Sequence, residues 1–183
     1  MRYLVFIMGI VIASTTAYAD NNRLHIYAGQ YTASSMGDTI LSPEYESQYL
    51  IAMNYRRFIT TSIGITGGAE LGTAARFGMA YSQEFWVGLT TGYAINIGRI
   101  RITPSITGGL SFVTDSSGEE RQREESNRGD ASLLFYLAPE IELSWGTQWS
   151  IIYRLHHRSG ANRTLGGLCE GYNANTIGIG YKF

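Results

Sequence analysis

His157 and Ser159 stand two residues apart in the segment Tyr153-Arg154-Leu155-His156-His157-Arg158-Ser159. In a β-strand, residues two apart share a face. Trp149, Ile151, Tyr153, Leu155, His157 and Ser159 therefore form one column, and Ser150, Arg154, His156 and Arg158 the other. The pair falls at the end of an otherwise apolar column, and its chemistry would be ester cleavage. A serine hydroxyl is a poor nucleophile until an imidazole takes its proton, and the imidazole works best when an acid orients it. His157 is the candidate base, Ser159 the candidate nucleophile, and Glu170, the nearest downstream carboxylate, the candidate orienting acid. Backbone amides at Gly160 and Ala161 are the candidate oxyanion donors, because small residues let the backbone approach a substrate closely. His-x-Ser by spacing alone is a weak signal, since a histidine beside a serine is ordinary at an exposed strand end.

The elements that must position the pair are strands. Period-two alternation from Arg23 onward gives eight segments, roughly 24 to 32, 45 to 57, 59 to 72, 83 to 96, 99 to 113, 131 to 145, 148 to 159 and 173 to 183. In the fifth, Ile100, Ile102, Ile106, Leu110 and Phe112 alternate with Arg101, Thr103, Ser105, Thr107 and Ser111. In the sixth, Leu133, Phe135, Leu137, Ile141, Leu143 and Trp145 alternate with Ser132, Tyr136, Glu140, Glu142 and Ser144. In the fourth, Glu84, Gly88, Thr90, Gly92 and Ala94 give the inward face mainly small residues, which suits a narrow barrel.

The connections are asymmetric. Those at 33 to 44, 73 to 82, 114 to 130 and 160 to 172 are long, and those at Phe58, Asn96 to Gly98 and Gly146-Thr147 are short. Long external loops and short periplasmic turns are the pattern of an outer-membrane barrel. A soluble β-sandwich would place its apolar face inward and has no such asymmetry. The expected fold is thus all-β, an eight-stranded antiparallel transmembrane β-barrel. Arg56, Glu70, Glu84, Arg101, Glu140, Glu142 and Arg154 fall on the inward parity, so a paired polar core is expected rather than a diffusion pore.

An N-terminal signal peptide over residues 1–19 is expected ahead of the barrel over 20–183. Arg2 precedes an apolar run from Tyr3 to Ala13, and Ala17-Tyr18-Ala19 has the small-x-small pattern of a cleavage site. No later apolar stretch reaches the about 18 to 20 residues that a spanning helix needs. The net charge of −1 offers no basic field for nucleic acid. The lone Cys169 excludes a disulfide within the chain and a Cys-Cys metal site. His156 is expected inside the barrel near Arg154, and His25 near the periplasmic end as a structural residue. Adjacent strand residues point to opposite faces, so His156 and His157 cannot share a metal ion.

With both termini periplasmic, the seventh strand runs outward and brings His157 and Ser159 to the outer leaflet, where lipid A sits. The charged segment from Asp115 to Asp130 reads as a solvated external loop. A sharper reading has Arg121, Arg123, Arg128 or Arg163 touching lipopolysaccharide phosphates.

The segment Tyr153 to Ala161, the following loop with Glu170-Gly171-Tyr172-Asn173, and a last strand ending at Phe183 resemble the lipid A 3-O-deacylase (acyloxyacyl hydrolase) family. The likeness is specific over about the last thirty residues and architectural elsewhere, though Ile102-Thr103-Pro104 also matches that family's fifth strand. It implies an eight-stranded outer-membrane barrel with a Ser-His-Glu site on its outer surface that removes the ester-linked acyl chain at position 3 of lipid A. His157 then matches the histidine, Ser159 the serine, and Glu170 lies near the acid. The family usually has Asn where this chain has Gly160, and Glu170 is about one residue short of the usual spacing; Asn173 is the polar neighbour that could orient His157 instead. The chemistry needs no cofactor. The expected partners are lipid A or lipopolysaccharide and, through terminal Phe183, the outer-membrane insertion machinery, with a homodimer left open.

Two other readings remain. A non-catalytic barrel of adhesin or opacity type would act through its external loops. An acyltransferase barrel would carry its catalytic residues on the inward parity, where His157 and Ser159 are not.

Overall fold

The computed structural model describes residues 22–62 and 64–183; the expected signal peptide, residues 1–19, lies outside the described residues. The elements in order are β1 (Asn22–Thr32), α1 (Asp38–Leu41), β2 (Tyr45–Ser62), β3 (Ile65–Gly78), β4 (Ser82–Tyr93), β5 (Ile95–Ile97), β6 (Ile100–Val113), α2 (Gly118–Asn127), β7 (Leu133–Trp145), β8 (Trp149–Ser159) and β9 (Asn173–Lys182). β5 continues β4 past Ala94 and both pair with β6, so the strands make eight staves. β1 pairs with β2 on one side and β9 on the other, and β4 closes onto β6, every pairing antiparallel. Among the described residues, closure gives each of the eight staves a neighbour on both sides, which is what a sheet surrounded by hydrocarbon requires. The result is the closed eight-stranded barrel expected from the alternation.

The barrel is inside-out relative to a water-soluble fold. Its outer wall exposes Ile26, Ile51, Leu71, Val87, Leu89, Ile141, Ile151, Ile177 and Ile179. Aromatic residues border this belt at both ends, Tyr93, Trp145, Trp149 and Phe183 at the turn end and Tyr49, Phe77, Phe85, Phe112 and Phe135 at the loop end. The interior holds charge. Arg56 and Arg154 both bind Glu70 and Glu140, at 2.7 to 3.0 Å for the closest ion-pair contacts. Glu70 also accepts from Trp86 Nε1 at 2.9 Å. Four buried charges repay their desolvation only when each is paired and hydrogen-bonded, as these are.

Several boundaries differ from the sequence reading. The turn expected at Phe58 lies beyond Ser62, where β2 ends; Phe58 pairs with Gly68 inside the β2–β3 ladder, beside a register shift. The loop expected over 73 to 82 shrinks to Met79–Tyr81, because β3 continues to Gly78. Its outward residues there, Thr73 and Ala75, are too weakly apolar to signal a strand. The interior of β4 is not made of small residues alone: Trp86 points inward and is buried. Gly72 makes room for it, since a Cβ there would collide with the Trp86 ring. Arg101, expected in the interior pairing, is exposed at the turn-end mouth and donates to Asn96 Oδ1 at 3.0 Å.

The segment 115–130, read as a loop, contains α2. The helix has no apolar stripe; its buried residue is Glu120, which ion-pairs inside the barrel mouth with Arg76 of β3 and Arg158 of β8. Glu46 of β2 accepts the Glu119 backbone N–H at 3.2 Å, as an N-cap side chain would. α2 is thus pinned across the loop end by charges. Tyr172, buried under it, donates to Glu46, and burial first, then that bond, push its hydroxyl well above the ordinary tyrosine range.

Candidate active site

β8 carries His157 and Ser159 to the loop end, where they lie opposite Leu137 and Phe135 of β7. The strand end is held from inside. Arg158, between them in sequence, points inward, ion-pairs with Glu120 and donates to the Ala131 carbonyl at 2.7 Å. His156, also inward as expected, meets Glu84 Oε1 through Nε2 at 2.8 Å. His25 is fully buried in the interior. With its inward neighbours fixed, the strand presents His157 and Ser159 outward in a set orientation.

His157 is not on bare outer wall. It is only 6% exposed, and Leu155, two residues earlier on the same column, is 1% exposed. The segment 33–44 that includes α1 lies against β9 here: Asn173 Nδ2 donates to the Ser34 carbonyl at 2.8 Å and Asn175 Nδ2 to the Thr39 carbonyl at 2.7 Å. Asn175 also accepts from the Tyr153 hydroxyl at 2.7 Å. A lipid-facing histidine was expected; a polar shelf over the outer wall replaces the lipid and offsets the cost of a polar ring there.

The shelf also sets the histidine's protons. Asn173 Oδ1 meets His157 Nδ1. Because Asn173 Nδ2 is spent on a carbonyl, its amide orientation is fixed by the hydrogen bonds, and the oxygen must be the atom facing the ring. Nδ1 is then the donor, and in the neutral ring Nε2 carries the lone pair. Nε2 makes no hydrogen bond among the described residues and remains surface-accessible.

Ser159 is half-buried. Its hydroxyl donates to the Cys169 carbonyl at 2.8 Å and accepts the Ala161 N–H at 3.1 Å. Ala161, Asn162 and Arg163 have φ of 47°, 56° and 67°, three successive non-glycine residues in the left-handed region. Each such residue costs about 1 kcal/mol or more, and strain of this kind concentrates at functional sites. Gly160 is required by packing, since a Cβ would strike the Leu165 and Leu168 carbonyls.

Glu170 is not in contact with His157. Its carboxylate lies 3.5 Å from Arg123 Nη1, and Arg123 also donates to the carbonyls of Gly171 at 2.7 Å and Ala33 at 3.2 Å. Arg123 of α2 therefore ties the first and last long loops together. Arg121 pairs with Asp115, and Arg163 donates to Asn127 at 3.1 Å. Asn173 fills the fallback role expected for it, whereas Asn175 and Tyr153, which meet only through β8–β9 register, and the Arg123 clamp, which α2 positions, carry no motif in the sequence. Among the described residues, no group of three or more His, Cys, Asp or Glu could hold a metal ion.

Fold and site together define an eight-stranded barrel of the outer-membrane type with a histidine and a serine on its outer wall at the loop end. Among solved structures it is similar to the outer membrane enzyme PagL, with a TM-score of 0.66 at 15% identity over 88% of this chain and 99% of that one. It is also similar to Neisserial surface protein A, with a TM-score of 0.56 at 9% identity over 88% and 96% of the two chains. A third likeness is to the N-terminal β-barrel domain of Pseudomonas aeruginosa OprF, with a TM-score of 0.51 at 12% identity over 90% and 98%. At these identities the likeness is one of fold. No protein-family model and no curated protein matches the chain.

Proposed function

We propose that this protein is an outer-membrane esterase that removes the ester-linked acyl chain at position 3 of lipid A. The observation that carries the reading is the Ser34–Asn173–His157 relay, which leaves His157 Nε2 as a proton acceptor on the same outward column as Ser159. The position of that column at the aromatic border of the loop end supports a substrate drawn from the outer leaflet. The sequence resemblance supplies the lipid A position.

Ser159 gives its proton to His157 Nε2 as its Oγ attacks the acyl carbonyl. The imidazolium then protonates the departing ester oxygen, which leaves as a sugar hydroxyl, and the acyl group stays on Ser159. Water, deprotonated by His157, releases the free fatty acid and restores the serine. The first step requires the Ser159 hydroxyl to leave the Cys169 carbonyl for His157, a hydrogen bond of the kind that tightens when substrate binds. The Ala161 amide, now donating to Ser159 Oγ, is the candidate donor for the oxyanion. In this scheme Asn173 orients His157, and Glu170, held by Arg123, acts on the ring only at a distance.

One observation favours the rival barrel that works only through its external loops: the Ser159 hydroxyl is occupied by the Cys169 carbonyl. Mass spectrometry of lipid A from cells making the wild type, Ser159→Ala or His157→Ala separates the two. Loss of one hydroxyacyl chain with the wild type alone supports the esterase; the same profile in all three overturns it in favour of the rival.

A further inference from the structure

The opposite end of the barrel holds a cavity of about 270 Å³ between the β5–β6 and β7–β8 turns. Its wall includes three arginines, Arg23, Arg99 and Arg101, against one carboxylate among the described residues, Glu142. Arg23 is the buried member. It ion-pairs with Glu142 and lies over the Phe58 ring, 4.6 Å from its centroid. Its side chain is 9% exposed, yet its Nε is buried with no hydrogen-bond partner among the described residues. A buried guanidinium N–H without an acceptor is costly, so this wall is short of an acceptor. Arg101 spends Nε on Asn96, and its two terminal nitrogens make no hydrogen bond among the described residues. The excess of positive charge and the shortage of acceptors are met by one kind of ligand, an anion with several oxygens.

Trp149 and Ile100 also border the cavity, and both are half-exposed on the outer wall at the turn end. The site therefore opens beside the edge of the apolar belt, at the level of headgroup phosphates in the periplasmic leaflet. Basic pockets at this level suit anionic headgroups. We propose that the cavity binds a phosphate group, carried by an anionic glycerophospholipid of the periplasmic leaflet. This rests on the barrel and its orientation and is independent of the esterase reading.

The test uses the mature barrel folded in micelles, with native mass spectrometry to count retained phosphatidylglycerol against phosphatidylcholine, and with inorganic phosphate as competitor. One variant is Arg99→Gln with Arg101→Gln, both at exposed positions. A second is Arg23→Gln with Glu142→Gln, which removes the buried pair without stranding either charge. The wild type is expected to retain phosphatidylglycerol about tenfold over phosphatidylcholine, and each double variant to lose about tenfold of that preference, the scale of one or two charge-assisted bonds. Displacement by inorganic phosphate supports the shared phosphate chemistry. Phosphate binding without lipid preference overturns the lipid source and leaves a soluble phosphate ligand. Equal retention of both lipids with no phosphate binding, or binding unchanged in both variants, overturns the site.

Discussion

Asn173 joins two elements through one amide: its nitrogen donates to the Ser34 carbonyl and its oxygen faces Nδ1 of His157. The backbone carbonyl of a surface loop thereby sets which nitrogen of the ring carries the proton. If His157 is the general base, Asn173→Ala should lower turnover on the order of a hundredfold, the contribution of a well-poised base. Asn173→Asp should restore part of it, because a carboxylate still accepts from Nδ1 but cannot donate to the Ser34 carbonyl. Glu170→Ala should cost much less than Asn173→Ala. Acyl-chain release from lipid A by purified variants reads all three; a Glu170→Ala loss as deep as that of Asn173→Ala would return the orienting role to Glu170.

Much of this arrangement was legible in the chain because a barrel in lipid imposes one rule on every stave. Period two placed Arg56, Glu70, Glu84, Glu140, Glu142 and Arg154 inside, where all are buried, and His157 and Ser159 on the other face. The rule fails where side chains are neutral about it. Ala74 and Ala75 signal neither lipid nor lumen, so the end of β3 was invisible. It fails again for α2, whose buried side is Glu120 rather than an apolar stripe. The cover over His157 has a different cause: Asn173 and Ser34 are 139 residues apart, and only the β1–β9 closure brings their segments together.

Glu120 reaches from α2 into the barrel mouth and pairs with two arginines, Arg76 and Arg158. Glu120→Ala should destabilise the fold by about 3–5 kcal/mol, since it strands buried positive charge. Glu120→Gln, which keeps hydrogen bonding, should cost less. Urea unfolding of the barrel in micelles measures both, and limited proteolysis should cut residues 114–132 faster in the alanine variant. Equal stability of all three proteins would mean that α2 does not seal the mouth in solution.

Tyr172 ties the last loop to the same cap through Glu46. Burial first, and then this hydrogen bond, hold its hydroxyl protonated in the folded state beyond the ordinary range. An unfolded tyrosine ionises near about pH 10. The folded form thus binds the extra proton above that pH, and the contribution to stability is full below it and falls as pH rises beyond it. Unfolding free energies should show no Tyr172-dependent slope from neutral pH to about 9, with an alkaline decline that is shallower in Tyr172→Phe. The same alkaline slope in both proteins would remove Tyr172 as its source.

Gly72 and Trp86 face each other across the β3–β4 ladder, and the indole fills the space that a side chain at 72 would take. Trp86 in turn donates to Glu70, the carboxylate that binds both Arg56 and Arg154. A methyl group at 72 therefore pushes on the ring and, through it, on the central ion-pair network. Gly72→Ala should cost about 1–3 kcal/mol, the usual penalty for overpacking. Trp86→Phe removes the donor to Glu70 and relieves the crowding, so the two changes should not add. In a double-mutant cycle followed by urea unfolding, Gly72→Ala should cost less in the Trp86→Phe background than in the wild type. Strict additivity would show that the glycine is there for another reason than the ring.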